Sequence, residues 1–442
     1  MAFTVRRPTA RPALVLAAAL ALSSVVAPTT AAASSPTEVL SWNRIAASTL
    51  AAFPPPAGGA PPATAVHMAM TEAAVYDAVN AIDRQAQPYL LQATFPGASI
   101  DAAVATASHR MLTFIIGSVP GTIGFPNRTT LQANVDVAAA QSLGAIPASQ
   151  AKTDGIAAGN AAADAMIAAR QNDGRFGPSQ WDPDQGVDHW WPLSNPDGSP
   201  ILDATPWVGG VRPFTVASSS QFRTDGPNDI TSAQYAADFN EVKALGRSNS
   251  TVRTAEQTHQ AIFWQGSLIA AWNEAVRSIL ADPDHRLDAA QTARLFAMFN
   301  TSGADALINC WNDKYHWDFL RPWNAIARAG DDGNPATEAD PTWQALITAP
   351  YPEHPSGHLC YDGSSVEVLQ KFFGTDKIQF QFTSIRFPGE VRTFDRLSDL
   401  LKEITEARIW AGLHFRTADM QGQNLGRKVA HYIEKHAFQP LD

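Results

Sequence analysis

Cysteine is nearly absent: the 442 residues include two, so at most one disulfide can form. Charged side chains are also sparse at 17%, and their balance is acidic, with a formal net charge of -10. That sign argues against nucleic acid or an anionic membrane surface as a partner. Long apolar runs are missing except at the N-terminus, which leaves no membrane-spanning bundle. No run of residues alternates convincingly as a strand, and no short-period repeat is present. Paired ligand spacing is lacking too. His67, His109 and His259 stand singly in helical patterns, so no divalent metal site is expected.

What remains is a globular, helical chain. The 45% apolar content excludes disorder, and the length suffices for a large core or two units. Arg6, Arg7 and Arg11 precede the apolar run Pro12 to Ala27, and Ala31-Ala32-Ala33 offers a small-residue cleavage site. Residues 1–33 therefore read as a signal peptide, with ordinary secretion favoured over a twin-arginine route. Its removal takes away three positive charges and leaves a net charge of about -13. Residues 34–228 are expected to form a helical region ending in a Pro- and Trp-rich loop. Met68, Val75, Ala78, Val79 and Ile82 mark an apolar helix face in its first part. Its loop segment, 174–228, places Trp181, Trp190, Trp191 and Trp207 so as to pin it to the body rather than to form a lid. Helical signals resume at Thr231 and continue through the second region, 229–442, where Asp288 and Gln291 have capping-box spacing.

Three short stretches carry the chemistry. In Lys314 to Pro322 (KYHWDFLRP), Lys314 and Arg321 are seven apart, so on one continuous helix they share a face, and Pro322 then stops or kinks it. His316, two residues on, points away and reads as packing. In Pro355 to His358 (PSGH), Ser356 is placed to cap a helix, Gly357 lets backbone approach a ligand, and free N–H groups with the helix dipole favour an anion beside His358. In Arg408 to His414 (RIWAGLH), a spacing of six would splay the two side chains, so the helix is expected to end at Gly412 and His414 to turn back. Each stretch alone is ordinary. Together they hold three cations, two histidines and a Ser-Gly turn, the inventory for a tetrahedral oxyanion and for proton movement around it. His354 is placed either to tune that proton traffic or as a loop-surface residue. Asp305 and Glu406 are candidates to pair with the pocket arginines.

The ordered pattern K-x6-RP, PSGH, R-x3-G-x-H resembles the vanadium-dependent haloperoxidase and type 2 phosphatidic acid phosphatase superfamily over about residues 295 to 436. The resemblance implies that Lys314, Arg321, Ser356, Gly357 and Arg408 hold the equatorial oxygens of vanadate or phosphate. It makes His358 the acid-base group and His414 the axial partner, a ligand of vanadium in a haloperoxidase or the phosphorylated nucleophile in a phosphatase. Trp311 falls where the fungal chloroperoxidases place a Trp beside the halide, and Tyr351 where they carry a Phe. Two departures stand out. Ala407 replaces the usual Ser before the arginine, and Asp419 is five residues after His414 instead of four, which puts the support of that histidine in question.

The expectations are a mainly α fold, one or more helical bundles with the oxyanion pocket at one end, and a secreted vanadate-dependent haloperoxidase. It would use hydrogen peroxide to oxidise halide, bromide before chloride, with a small organic substrate as final acceptor. Lys314 would polarise the bound peroxide. A soluble acid phosphatase working through a phosphohistidine is the alternative, and a helical binding module with a vestigial pocket the third. The oligomeric state stays open. So does the state of Cys310 and Cys360, which the two motifs bring into one neighbourhood either as a disulfide or as buried free thiols.

Overall fold

The computed structural model describes residues 34–178, 186–266 and 268–441. The segment read as a signal peptide and Trp181 lie outside the described residues. Five helices come first: α1 (Thr37–Ala51), α2 (Pro61–Asn80), α3 (Ile100–Ser118), α4 (Arg128–Ala145) and α5 (Gln150–Ala169). After the loop come α6 (Ala233–Leu245), α7 (Ala255–Phe263), α8 (Leu268–Ala281), α9 (Ala289–Trp317), α10 (Pro322–Arg328) and α11 (Gly357–Phe373). A hairpin of β1 (Phe380–Thr383) and β2 (Val391–Phe394) leads to α12 (Leu397–Trp410) and α13 (Arg416–His436). The fold is mainly α, as expected. The hairpin was not foreseen, because four residues per strand are too few to establish an alternation against helical neighbours. Its inward residues Phe380 and Phe382 pack on Trp272.

Two central helices, α2 and α9, organise the packing. The apolar stripe read from the sequence understates α2: every residue from Pro62 to Asn80 is buried. Alanines on all sides let α9, α3 and α5 approach it closely, and a helix so enclosed must satisfy its polar side chains internally. Asp77 accepts the backbone N–H groups of Tyr89, Leu90 and Leu91. Glu72 joins a buried amide network in which Asn43 of α1 donates to Glu72 at 2.9 Å and to Asn273 of α8 at 2.8 Å, and Asn273 donates to Asn300 of α9 at 3.0 Å. Four helices are thereby held in one relative position.

Helix α9 starts at the capping box of Asp288 and Gln291, both bonds present. One of its faces carries a polar ladder at four-residue spacing. Asp305 accepts from the backbone of Phe214, Thr215 and Val216, Asn309 from Phe222, and Asp313 from Thr224. This ladder pins the 214–224 loop to the bundle, and it engages Asp305 fully. The tryptophans agree with pinning: Trp207 is buried against Phe176 at 4.9 Å, and Trp191 lies under Arg328.

Helices α11 and α13 cross with little room between them. A Cβ at Gly426 would stand 2.2 Å from the Cys360 carbonyl oxygen, and one at Gly422 would stand 2.7 Å from that of Ser356. Gly363 on the facing helix is equally enclosed, 2.5 Å from the Gln423 carbonyl oxygen. These three glycines set how near the start of α11 comes to α13, and any larger residue would push the helices apart.

Burial raises the Glu72 carboxyl from 4.5 to about 7, outweighing the Asn43 hydrogen bond and the Arg277 charge. A carboxyl raised in the folded state contributes no penalty below its unfolded pKa. It costs stability increasingly as pH rises to the folded value. Glu72→Gln should therefore match the parent's melting temperature near pH 4 and exceed it progressively between about pH 4.5 and 7, with a constant margin above. Calorimetric melting across that range checks this, and a margin independent of pH would show that Glu72 is not protonated inside the fold.

Candidate active site

Lys314 and Arg321 do converge, but not along one helix. α9 ends at Trp317, Asp318 takes a left-handed conformation with φ +43°, and the reversed chain brings Arg321 back. Pro322 neither stops nor kinks α9; it opens α10, the position where its missing N–H costs least. The shared target is the 351–355 loop. Lys314 Nζ donates to the carbonyls of Pro352, Glu353 and Pro355 at 3.1, 2.9 and 2.6 Å. Arg321 donates to those of Tyr351 and Pro352 at 2.9 and 3.3 Å and to that of Leu413 at 2.7 Å. Both side chains are fully buried. Burial lowers the Lys314 ammonium to about 8.

Ser356 occupies the N-cap of α11, yet its hydroxyl caps nothing. The polar group beside Ser356 Oγ is the Asp419 carboxyl, with which it makes no well-aligned hydrogen bond. A Cβ on Gly357 would meet the Trp311 ring at 2.9 Å, so only glycine lets that indole close over the start of the helix. His358 follows, bonded to the Trp264 backbone, with its Nε2 unpartnered. α12 ends at Trp410 and Gly412 adopts φ +75°, the break expected from the sequence. Arg408, in the last turn of α12, is 3% exposed, yet its Nε and Nη1 find no acceptor. Asp362 and Asp419 stand near it with raised carboxyls, burial being the cause.

His414 is held from both sides of its ring. Nδ1 lies 2.9 Å from Glu353 Oε1, which also accepts the Phe415 N–H at 3.0 Å. Nε2 lies 3.4 Å from Arg321 Nη1. Since a guanidinium can only donate, Nε2 accepts from Arg321 and the ring proton sits on Nδ1, facing Glu353 Oε1, whose carboxyl burial raises to about 8. Burial, then Arg321, holds the imidazole well below its usual pKa. His358 is held low in the same manner by burial and Arg408. Two neutral histidines thus face three buried cations.

Residues 294–442 match the family model described as the VCPO second helical-bundle domain. The crystal structure of the first bacterial vanadium-dependent iodoperoxidase superposes with a TM-score of 0.72 at 21% identity, covering 92% of this chain and 98% of that one. Residues 294–442 therefore carry the VCPO second helical-bundle domain, and the chain shares the vanadium haloperoxidase fold. An apo-type bacterial vanadium-dependent chloroperoxidase structure shares the fold at a TM-score of 0.65 and 15% identity, covering 86% of this chain and 95% of that one. Vanadium chloroperoxidase from Curvularia inaequalis is 26% identical over 279 residues, 48% of this chain. That match spans 45% of the curated relative's length.

The vanadium that these relatives are named for is bound as vanadate, an oxyanion, and the residues present here fit one. Arg408 Nε and Nη1 and His358 Nε2 are buried polar atoms unsatisfied by protein, with Ser356 Oγ next to the buried Asp419 carboxyl, grouped by the motifs near the α11 N-terminus and His414. They could hold vanadate, with Arg321 alongside and Gly357 giving backbone access. Lys314 differs from the superfamily expectation. Its three donors all serve the 351–355 carbonyls, so here it anchors the loop that carries Glu353 and Ser356.

The remaining expected residues divide. Trp311 and Tyr351 do meet, ring centroids 5.1 Å apart, with Lys314 Nζ 5.6 and 5.2 Å from them. The Trp311 N–H is committed to Asp203 at 2.8 Å. Asp305 serves the ladder and Glu406 pairs with Arg416, so neither reaches a pocket arginine. His354 is no surface residue: it is 1% exposed, lies 3.2 Å from the Thr224 hydroxyl, and is lowered to about 3 by burial and Lys314. His316 is exposed beside Trp317. Cys310 and Cys360 are buried free thiols, with Cys310 Sγ directed at the Pro355 carbonyl at 3.7 Å.

Glu353 is the residue that sequence reasoning overlooked in this role. Asp419 was weighed as support for His414, but Glu353 supplies it. Its only signal was an acid three positions before Ser356, and nothing in the spacing ties it to a histidine 61 residues later. Glu353→Gln keeps the shape but lets the amide offer N–H where Nδ1–H must be accepted. Vanadate affinity should fall by about 10- to 100-fold, read by calorimetric titration of the protein with orthovanadate. Unchanged affinity would remove Glu353 from the site.

Proposed function

We propose that this protein is a vanadate-dependent haloperoxidase that uses hydrogen peroxide to oxidise halide, bromide in preference and chloride less readily. One observation carries the reading: the unpartnered Arg408 donors lie in the same motif cluster as Ser356 and a histidine whose Nε2 is kept unprotonated, its ring proton held on Nδ1 against Glu353. Neutral imidazole nitrogen is a ligand for a transition metal, while buried N–H donors hold its oxygens. The similarity to vanadium haloperoxidases supports the same choice.

Bound vanadate would supply the Lewis-acid centre at which peroxide becomes electrophilic toward halide. The chain does the rest. Arg408, Ser356 and the first N–H groups of α11 balance the oxyanion charge. His414 presents Nε2, and Glu353 keeps the tautomer. His358, neutral because buried beside Arg408, takes and returns protons through its free Nε2. Trp311 and Tyr351 form an aromatic wall that strips water from a halide without reacting in its place. The Tyr351 hydroxyl keeps that wall less dry than two hydrocarbon rings would, which favours bromide. The product is a diffusible oxidant, so we place the enzyme outside the cytoplasm. The arginine-apolar-alanine order of residues 1–33 supports that location, and secreted protein should begin near Ser34 by intact mass.

Replacement of the two histidines separates the chemistries. His414→Ala should lose vanadate binding and bromide oxidation together. His358→Ala should keep vanadate and slow turnover by about a hundred- to ten-thousand-fold. Bromide oxidation with and without vanadate, beside hydrolysis of p-nitrophenyl phosphate, decides the matter. Phosphate release through a trappable phosphohistidine at His414, with vanadate acting only as an inhibitor, would make the protein a phosphatase instead.

A further inference from the structure

A cavity of about 450 Å³ opens between α1, the start of α8 and the β1–β2 hairpin, with His358 among its lining residues. Bromide and peroxide are each only a few atoms in size, so the inorganic reactants leave most of this volume unexplained. Pockets of this size suit a small organic molecule. His358 lines the cavity as a partly exposed residue, although its Nε2 is buried, so the cavity reaches the acid-base histidine. Its walls are apolar and aromatic, including Phe263 and Phe382. Ile385, on the hairpin turn at the rim, is 67% exposed, an unusual place for a large aliphatic side chain unless something apolar rests on it.

The charged residues of the lining are uneven. Arg277 is paired with Glu274, and Arg44 stands 3.9 Å from the other oxygen of the same carboxylate while remaining 63% exposed. Two cations share one acid on a protein of net charge -10. Arg44 therefore offers its guanidinium to an incoming anion.

We propose that this cavity binds the organic substrate, an electron-rich aromatic ring bearing a carboxylate, such as a phenolic or indolic acid. The carboxylate pairs with Arg44, and the ring lies along Phe382 and Ile385 toward His358. This rests on the haloperoxidase reading for its oxidant. Halide, peroxide and a proton give hypohalous acid and water. The ring carbon then takes the halogen from hypohalous acid, and the displaced ring proton leaves with the hydroxide as a second water. Held in the cavity, the ring meets the oxidant as it forms.

The probe is 4-hydroxyphenylacetate, with tribromide formation in its absence as an independent measure of bromide oxidation. With vanadate-loaded protein, bromination of the phenol should saturate. Arg44→Glu and Ile385→Asp should each raise its KM about three- to tenfold and leave tribromide formation unchanged. Bromination linear in phenol concentration and identical in both variants would mean that the oxidant escapes before reacting, and the proposal fails. If the parent forms no tribromide, the haloperoxidase reading fails instead. Calorimetric binding of 4-hydroxyphenylacetate then still decides the cavity: affinity weakened by Arg44→Glu supports it, and no binding overturns it.

Discussion

Two buried cations meeting a loop of inward-pointing carbonyls, with a third buried beside them, is the constraint that the rest of the structure serves. Lys314 and Arg321 together hold five backbone oxygens between Tyr351 and Leu413. Carbonyl dipoles reduce the cost of burying these charges without cancelling them, so a positive potential persists where no solvent screens it. Arg408 is even less compensated. An anion is the natural complement, and burial, with that potential added, keeps both histidines neutral. The site is thus preorganised by an electrostatic deficit that the fold maintains.

How the fold maintains it depends on close helix contacts. α11 can deliver Ser356, Gly357 and His358 only because α13 runs against it through Gly422 and Gly426. α9 can deliver Lys314 only because α2, rich in alanine, admits it. The ladder of Asp305, Asn309 and Asp313 then fastens the 214–224 loop beside the same segment of α9. Its last rung connects onward, since Thr224 contacts both Asp313 and His354.

The sequence disclosed those features whose causes are local. The capping box at Asp288 and the helix break at Gly412 follow from residues within a turn of the effect, and both stand as read. The motif cluster was legible because its chemistry is written in residue types. Features set by distant partners were hidden. The α2 stripe looked amphipathic because alanine is neutral in a periodicity argument, yet it is what allows neighbours on every side. Arg321 was placed by helical spacing, whereas a left-handed turn at Asp318 brings it home. Ser356 had the right position for a cap but a different use for its hydroxyl. Glu353 was beyond reach, because the bond that matters joins two loops that no short-range pattern relates.

The arrangement of sulfur in this chain follows from the same burial. Cys310 and Cys360 lie sealed beneath the site, and burial pushes the Cys360 thiol well above its usual pKa, so the thiolate through which oxidants attack hardly forms. Met68, Met70, Met111, Met166 and Met298 are likewise enclosed in the core. Among the described residues only Met420, 52% exposed on α13, presents sulfur to solvent. A catalyst that releases an oxidant, as proposed for this protein, is its own first target. Here the groups that would be consumed first are kept out of its reach, and Met420 is where wear would begin.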